Sequence, residues 1–223
     1  LGVLDASECP PTFNTPPEMV VGLIAGGRDA LVRAIEGAED FPEKGRQDLR
    51  EIGLTADDVV MGIATSGRTP YVLGGIEYAN ELGCTTIGFA CNQGSELARI
   101  AKIMICPVVG PEVVSGSTRL KAGTATKLVL NTLTTAAMIR SGKTYGNLMV
   151  DLRATNSKLR ARSKRIVAML SDVDEQQASE VLNACDGEVK TAIVAQRLRL
   201  AANAARERLQ FADGHLRKAL EGI

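Results

Sequence analysis

Apolar residues along this chain fall in short blocks separated by turn formers, and the blocks change character near residue 150. "DVVMGIAT" (58–65), "CTTIGFAC" (84–91) and "KIMICPVV" (102–109) are continuous apolar runs of strand length. Such runs predict strands buried on both faces, as in a parallel sheet. Between the first two, "PYVLGGIEYANELG" has apolar positions at helical spacing and ends on Gly83, which predicts a helix with a glycine stop. "SELARIA" predicts a further short helix. Upstream, "EMVVGLIAGG" (18–27) predicts another strand and residues 29–40 a helix; downstream, residues 119–141 predict one long helix. Strands alternating with helices predict an α/β fold: a doubly wound parallel sheet in a flavodoxin-like three-layer sandwich.

After "SGKTYGNLMVDLRATN" the pattern becomes helical throughout. Residues 155–223 are rich in Ala, Arg, Leu and Glu, and predict helices over 155–171, 174–184, 187–195 and 199–221. "SDVDEQQASEVLNACDGEVKTAIVAQ" resembles the small three-helix ubiquitin-associated fold, with a Gly turn between helices. That likeness is one of fold and does not carry ubiquitin binding. The expected organisation is a sheet domain over 1–150 and an all-helical C-terminal domain over 151–223, serving as a packing or dimer-supporting cap.

Composition removes several function classes. Lys plus Arg equals Asp plus Glu at 26 each, so no global field calls for nucleic acid or a membrane surface. Aromatic residues make 3% with no Trp, too few for base-stacking platforms or carbohydrate-stacking clefts. No apolar run is long enough to span a bilayer and no signal peptide is visible. The five cysteines include no C-x-x-C pair, which argues against a disulfide framework or a zinc site and for a reducing cytoplasm. A single histidine, His215, leaves nothing for a His-ligated metal or a Ser-His-Asp triad. Acid–base chemistry therefore rests on carboxylates, Lys, Tyr or Cys.

Ligands of open parallel sheets sit beyond the carboxyl ends of the strands. Two loops there carry suitable chemistry. "ATSGRTP" (64–70) follows the 58–65 strand: Ser66 and Thr69 offer hydroxyls, Arg68 a charge, and Gly67 lets the backbone approach an anion. "STRLKAGTATKLVLN" (117–131) opens the long helix, with Ser115 just ahead and Ser117, Thr118, Arg119 and Lys121 at its start. Small hydroxyls and free N–H groups at a helix N-terminus suit a phosphate; a capped helix with a solvated first turn accounts for the same residues. Arg119 and Lys121 would point about 200° apart on a regular helix, so at most one faces a ligand. Neither stretch has the G-x-x-x-x-G-K-[ST] spacing, and no G-x-G-x-x-G is present.

Taken together these features resemble the sugar isomerase domain, a phosphosugar-binding fold. "LGVLDASECPPTF" (1–13), "IAGG" and "EGAED" (24–27, 36–40), "TSGRTPYVLGG" (65–75) and "SGSTRLKAGTATKLVLNT" (115–132) narrow the likeness to the N-acetylmuramic acid 6-phosphate etherase family. The resemblance covers essentially the whole chain. It departs at the start, where members carry a helical region and a strand ending in a Gly-Thr-Ser-Gly-Arg loop before the equivalent of Leu1; the 223 residues alone are thus expected to form an incomplete enzyme.

The resemblance implies cleavage of the D-lactyl ether at C3 of N-acetylmuramic acid 6-phosphate, giving N-acetylglucosamine 6-phosphate and D-lactate in cell-wall amino sugar recycling. Glu8 and Glu39 match the family's two catalytic glutamates, implying Glu8 as the acid on the lactyl oxygen and Glu39 as the base at C2. Glu36, three residues from Glu39 on the predicted helix, competes for the base role. To donate near neutral pH, Glu8 should sit in a partly dry pocket beside Pro10, Pro11 and Phe13; without the resemblance it reads as a loop acid or helix cap. Ser66, Gly67, Arg68, Thr69, Ser115, Ser117, Thr118 and Lys121 are the substrate-binding candidates. No metal or organic cofactor is expected, since two carboxyls can carry the proton work. The expected partners are a small sugar phosphate and a second copy in a homodimer, with no nucleic acid and no membrane. A non-enzymatic sugar-phosphate sensor, an aldose–ketose isomerase and a structural domain are the competing readings; none of them needs an acid aimed at C3.

Overall fold

The computed structural model describes residues 1–152, 154 and 156–222. Along the chain run α1 (Gly2–Phe13), two 3-10 turns (Gly27–Leu31, Ala38–Asp40), α2 (Pro42–Glu51), β1 (Val59–Ile63), α3 (Pro70–Glu81), β2 (Thr85–Phe89), α4 (Glu96–Ile100), β3 (Ile103–Ile105) and α5 (Lys121–Arg140). A hairpin of β4 (Thr144–Tyr145) and β5 (Leu148–Met149) follows, then α6 (Ser157–Ser171), α7 (Glu175–Ala184), α8 (Val189–Leu198), α9 (Ala202–Phe211) and α10 (Leu216–Glu221). The residues form two compact units, Leu1–Val3 with Gly22–Leu130 and Leu4–Val21 with Asn131–Ile223.

In the first unit β1, β2 and β3 pair in parallel in that order, with Met61 opposite Ile87 and Ile87 opposite Ile103. Alternate strand residues face opposite sides. Ala64 packs with Ile76 of α3 and Leu97 of α4 on one face, while Phe89 and Cys91 meet Ala122 of α5 on the other. Helices therefore cover both faces of the parallel sheet. α2 lies against α3 through glycine: a Cβ on Gly74 would stand 2.2 Å from the Pro42 carbonyl oxygen, so only a bare backbone fits. Beside that contact the Tyr71 hydroxyl donates to Asp48 at 2.6 Å.

The second unit is helical around one core, with Ile166 and Val167 of α6, Ala178 of α7, Ile193 and Val194 of α8 and Leu216 of α10 all buried. Side-chain caps set the starts of α6 and α7. Asn156 accepts the Leu159 N–H at 2.9 Å, and Asp174 accepts the Gln177 N–H at 2.8 Å. The Lys190 ammonium donates to Asp151 and to the Gly214 carbonyl, both at 2.9 Å, tying the start of α8 to the hairpin exit and to the α9–α10 turn. No helix among the described residues is long and apolar enough to cross a membrane.

Several local expectations are corrected. Residues 18–27 form turns and irregular chain, because the segment passes over the backbone of Val3: a Cβ on Gly22 would lie 2.6 Å from the Val3 Cα. Residues 29–40 do not make a helix. Val32 is 82% exposed and Ile35 is exposed too, so no apolar face is buried, and Gly37 turns left-handed at φ +76°. Glu36 and Glu39 consequently share no helix face. β3 covers only Ile103–Ile105, since Pro107 has no N–H for a ladder. The predicted 199–221 helix is two helices: Asp213 and Gly214 take positive φ, and the Gly214 N–H closes α9 on the Leu209 carbonyl at 2.8 Å. Residues 2–13 form a helix despite Pro10 and Pro11. Neither α2 nor the β4–β5 hairpin was expected from the pattern.

Candidate active site

The carboxyl ends of β1 and β2 build the first loop of the candidate site. The chain leaves β1 through a turn in which the Gly67 N–H donates to the Ala64 carbonyl at 2.8 Å. Gly67 has φ +68°, and a Cβ there would stand 2.4 Å from the Ser95 side chain. Both conditions demand glycine, so this turn is specified by geometry as well as by composition. The Thr65 carbonyl accepts the Cys91 N–H at 2.9 Å and the Asn92 side-chain amide at 3.0 Å, clamping the loop to the end of β2. Ser66 accepts the Arg68 N–H at 3.3 Å, and Arg68 is exposed with no ion pair among the described residues. Thr69 is the N-cap of α3, yet its hydroxyl makes no cap bond. Pro70, at the first helical position, has no N–H to offer. The α3 entrance thus presents an uncommitted hydroxyl and the positive end of a helix dipole to anything bound there.

The second loop differs from expectation in one decisive way. The entrance of α5 already holds a carboxylate. Glu112 accepts the Lys121 N–H at 3.1 Å on one oxygen and the Ala122 N–H at 3.0 Å on the other. These two donors hold the Glu112 carboxyl below its ordinary pKa. Ser115 and Thr118 are exposed, Ser117 is half-buried, and all three stand in the turn ahead of the helix, where the Ser117 N–H donates to the Val114 carbonyl. Arg119 also precedes the helix, so the opposed-face argument against Lys121 does not apply. Lys121 begins α5 and its ammonium has no ion pair among the described residues. Glu112 escaped the sequence reading because capping patterns look about three residues back, whereas this acid acts from nine residues before Lys121.

The two glutamates fall in different units: Glu39 in the first, Glu8 in the second. Glu39 occupies the 3-10 turn Ala38–Asp40 and is exposed. Glu8 stands on α1 and is exposed as well, so the described residues do not supply the partly dry pocket expected beside Pro10, Pro11 and Phe13. Pro10 and Pro11 lack the N–H groups that would cap the Ala6 and Ser7 carbonyls, which loosens the helix around Glu8. Within the second unit α1 is anchored by Asp5, which accepts the Asn131 amide at 2.5 Å.

Other acid–base groups are poorly suited. Burial and the adjacent Asp48 carboxylate push the Tyr71 phenol far above its ordinary value. Burial, helped by Asp5, pushes the Cys9 thiol up, and burial likewise raises Cys91. These groups stay protonated near neutral pH and are neither bases nor thiolate nucleophiles.

Comparison with known proteins adds an independent line. Residues 1–80 match the family model described as the glucokinase regulatory protein N-terminal SIS domain, and residues 50–136 match the SIS domain. The chain is similar to N-acetylmuramic acid 6-phosphate etherases over nearly all of its length. It is 61% identical to that of Rhodopirellula baltica over 220 residues, covering 99% of this chain and 73% of the relative. Identity is 61% over 221 residues to that of Vibrio campbellii, covering 99% and 72%. For Streptomyces coelicolor it is 59% over 220 residues, covering 99% and 71%.

Proposed function

The chain belongs to the N-acetylmuramic acid 6-phosphate etherase family, and from that premise we propose that it is a carbon–oxygen lyase with Glu8 and Glu39 as its proton-transfer pair. The protein splits N-acetylmuramic acid 6-phosphate into N-acetylglucosamine 6-phosphate and D-lactate, a step of cell-wall amino sugar recycling. The observation that carries this reading is the 61% identity across 99% of the chain.

The chemistry follows from the substrate. An ether oxygen leaves poorly as an alkoxide, and the C2 proton is acidic only beside the C1 aldehyde of the open-chain sugar. Glu39 takes the C2 proton, and the electron pair forms the C2–C3 double bond as the C3–O bond breaks. Glu8 delivers its proton to the departing lactyl oxygen. Water then adds at C3 as the Glu8 carboxylate takes one of its protons, Glu39 returns its proton to C2, and both carboxyls recover their starting states. Ser66, Gly67, Arg68 and Thr69 bind the phosphate and sugar hydroxyls at the α3 entrance, aided by Ser115, Ser117 and Thr118 ahead of α5 and by Lys121 at its start. In this reading the sheet is part of a doubly wound sugar isomerase domain over 1–150. Residues 151–223 are its ubiquitin-associated-like helical companion, and the enzyme works in the cytoplasm as a homodimer.

D-lactate released from N-acetylmuramic acid 6-phosphate tests the assignment. Glu8→Gln is expected to lower the rate by at least about 100-fold while the melting temperature holds, because Glu8 is exposed and hydrogen-bonded to nothing among the described residues. The match of residues 1–80 to a regulatory protein's domain keeps one second reading in play, a sugar-phosphate sensor. Folded protein that binds the sugar phosphate and releases no lactate would establish the sensor instead.

A further inference from the structure

Ser115, Ser117, Thr118 and Lys121, the groups assigned to the substrate at the α5 end, lie in or directly after one loop that packing does not hold. From Pro111 to Leu120 only Glu112 and Ser117 are half-buried, and every other residue is exposed. Its apolar side chains anchor nothing: Val113 is 83% exposed and Val114 65%. A loop without buried apolar contacts opens at low cost, and hydroxyls on such a loop have no fixed place to offer a ligand.

Polar contacts give this loop its shape instead. Its ends meet, for Gly110 turns left-handed at φ +72° and a Cβ there would lie 3.9 Å from the Lys121 ammonium. Inside it, the Ser117 N–H closes a turn on the Val114 carbonyl at 3.1 Å, with Gly116 at φ +87°. The decisive tie is Glu112, whose two oxygens take separate donors, the Lys121 N–H at 3.1 Å and the Ala122 N–H at 3.0 Å. Ala122 is 1% exposed and packs with Phe89 and Cys91 around the carboxyl end of β2. The donors therefore belong to a fixed part of the sheet unit. A carboxylate held through both oxygens keeps one orientation, and its charge strengthens each bond. The lowered Glu112 pKa has these two donors as its main cause.

We propose that Glu112 is a positioning residue of the sugar-phosphate site. It clips the 111–120 loop to α5, so that Ser115, Ser117 and Thr118 keep a set place relative to Lys121, and it takes no part in proton transfer. The inference rests on the reading that these four groups meet the substrate. A carboxylate that merely blocked the α5 entrance would compete with the substrate's phosphate, whereas a clip supports its binding. Removing the carboxylate therefore has opposite signs in the two cases.

The test compares the parent with Glu112→Gln and Glu112→Ala in D-lactate release and in calorimetric titration with N-acetylglucosamine 6-phosphate. Glu112→Ala is expected to raise KM and Kd by about tenfold or more while kcat stays within about threefold. Glu112→Gln keeps one acceptor oxygen and should fall between the two. Trypsin should cut after the exposed Arg119 at least about tenfold faster in Glu112→Ala, a readout that needs no turnover. Unchanged KM and Kd in Glu112→Ala overturn the proposal and leave a structural cap; a tighter Kd overturns it and makes Glu112 a plug. Unchanged cleavage after Arg119 overturns it as well, since the loop is then held without Glu112. If the parent binds the sugar phosphate but releases no lactate, the etherase reading falls and the Kd series still decides the clip. If the parent does neither, both fall.

Discussion

The two units hold themselves together in different ways. The helical unit gathers its buried side chains into one continuous core, from Val150 and Ile166 through Ile193 and Val194 to Leu216. The sheet unit has two small buried clusters, Ala64–Ile76–Leu97 and Phe89–Cys91–Ala122, on the two faces of three short strands. It also leaves large apolar side chains exposed, among them Val32, Val59, Val113 and Leu128. The helical unit is specified by side chains that fill space. The sheet unit depends more on the absence of side chains, at Gly45, Gly67 and Gly74, where backbones meet. A thinly packed sheet with precise loop ends suits a site that must present N–H groups and hydroxyls; a filled helical core suits support.

Truncating the helical core should give the largest effect. Ile193 is fully buried, and Ile193→Ala is expected to cost about 3–4 kcal/mol. Hydrogen exchange should then accelerate in α6–α10 while β1–β3 keep their protection. Equal loss in both units would mean that they unfold as one, and the contrast would fail. Adding one methyl to the sheet unit is the converse test. Gly74→Ala forces a Cβ against the Pro42 carbonyl and is expected to cost about 2–3 kcal/mol, with exchange rising first in α2 and α3. The smallest effect belongs to Glu112. Its folded pKa is lowered, so its stabilising contribution is complete above the ordinary carboxylate value and is lost as pH falls through the lowered one. Glu112→Gln should therefore melt slightly below the parent at neutral pH and converge with it in acid. Melting curves across that range check the sign, and a gap that widens in acid would contradict it.

Much of this was legible along the chain. The three apolar runs became β1, β2 and β3, and the long 119–141 pattern became α5, because a strand buried on both faces and a long helix each leave an unambiguous period. The hydroxyl-and-glycine turn at 64–70 was also visible, and its geometry gives Gly67 a steric reason. Segments whose fate depends on distant neighbours were not legible. Residues 18–27 look like a strand until Val3 crosses them. Residues 29–40 look helical until no surface covers Val32 and Ile35.

The sequence by itself determined the family, the α/β and helical character of the two stretches, and the chemical types at the candidate site. Those are properties of local composition, period and motif, and they survive without knowing what packs on what. Only the tertiary structure decided that Glu112 holds the α5 entrance and that Glu8 rides on a helix through two prolines. Each of those depends on groups far apart in the chain meeting in space or on packing overriding local preference, and no local pattern encodes that outcome.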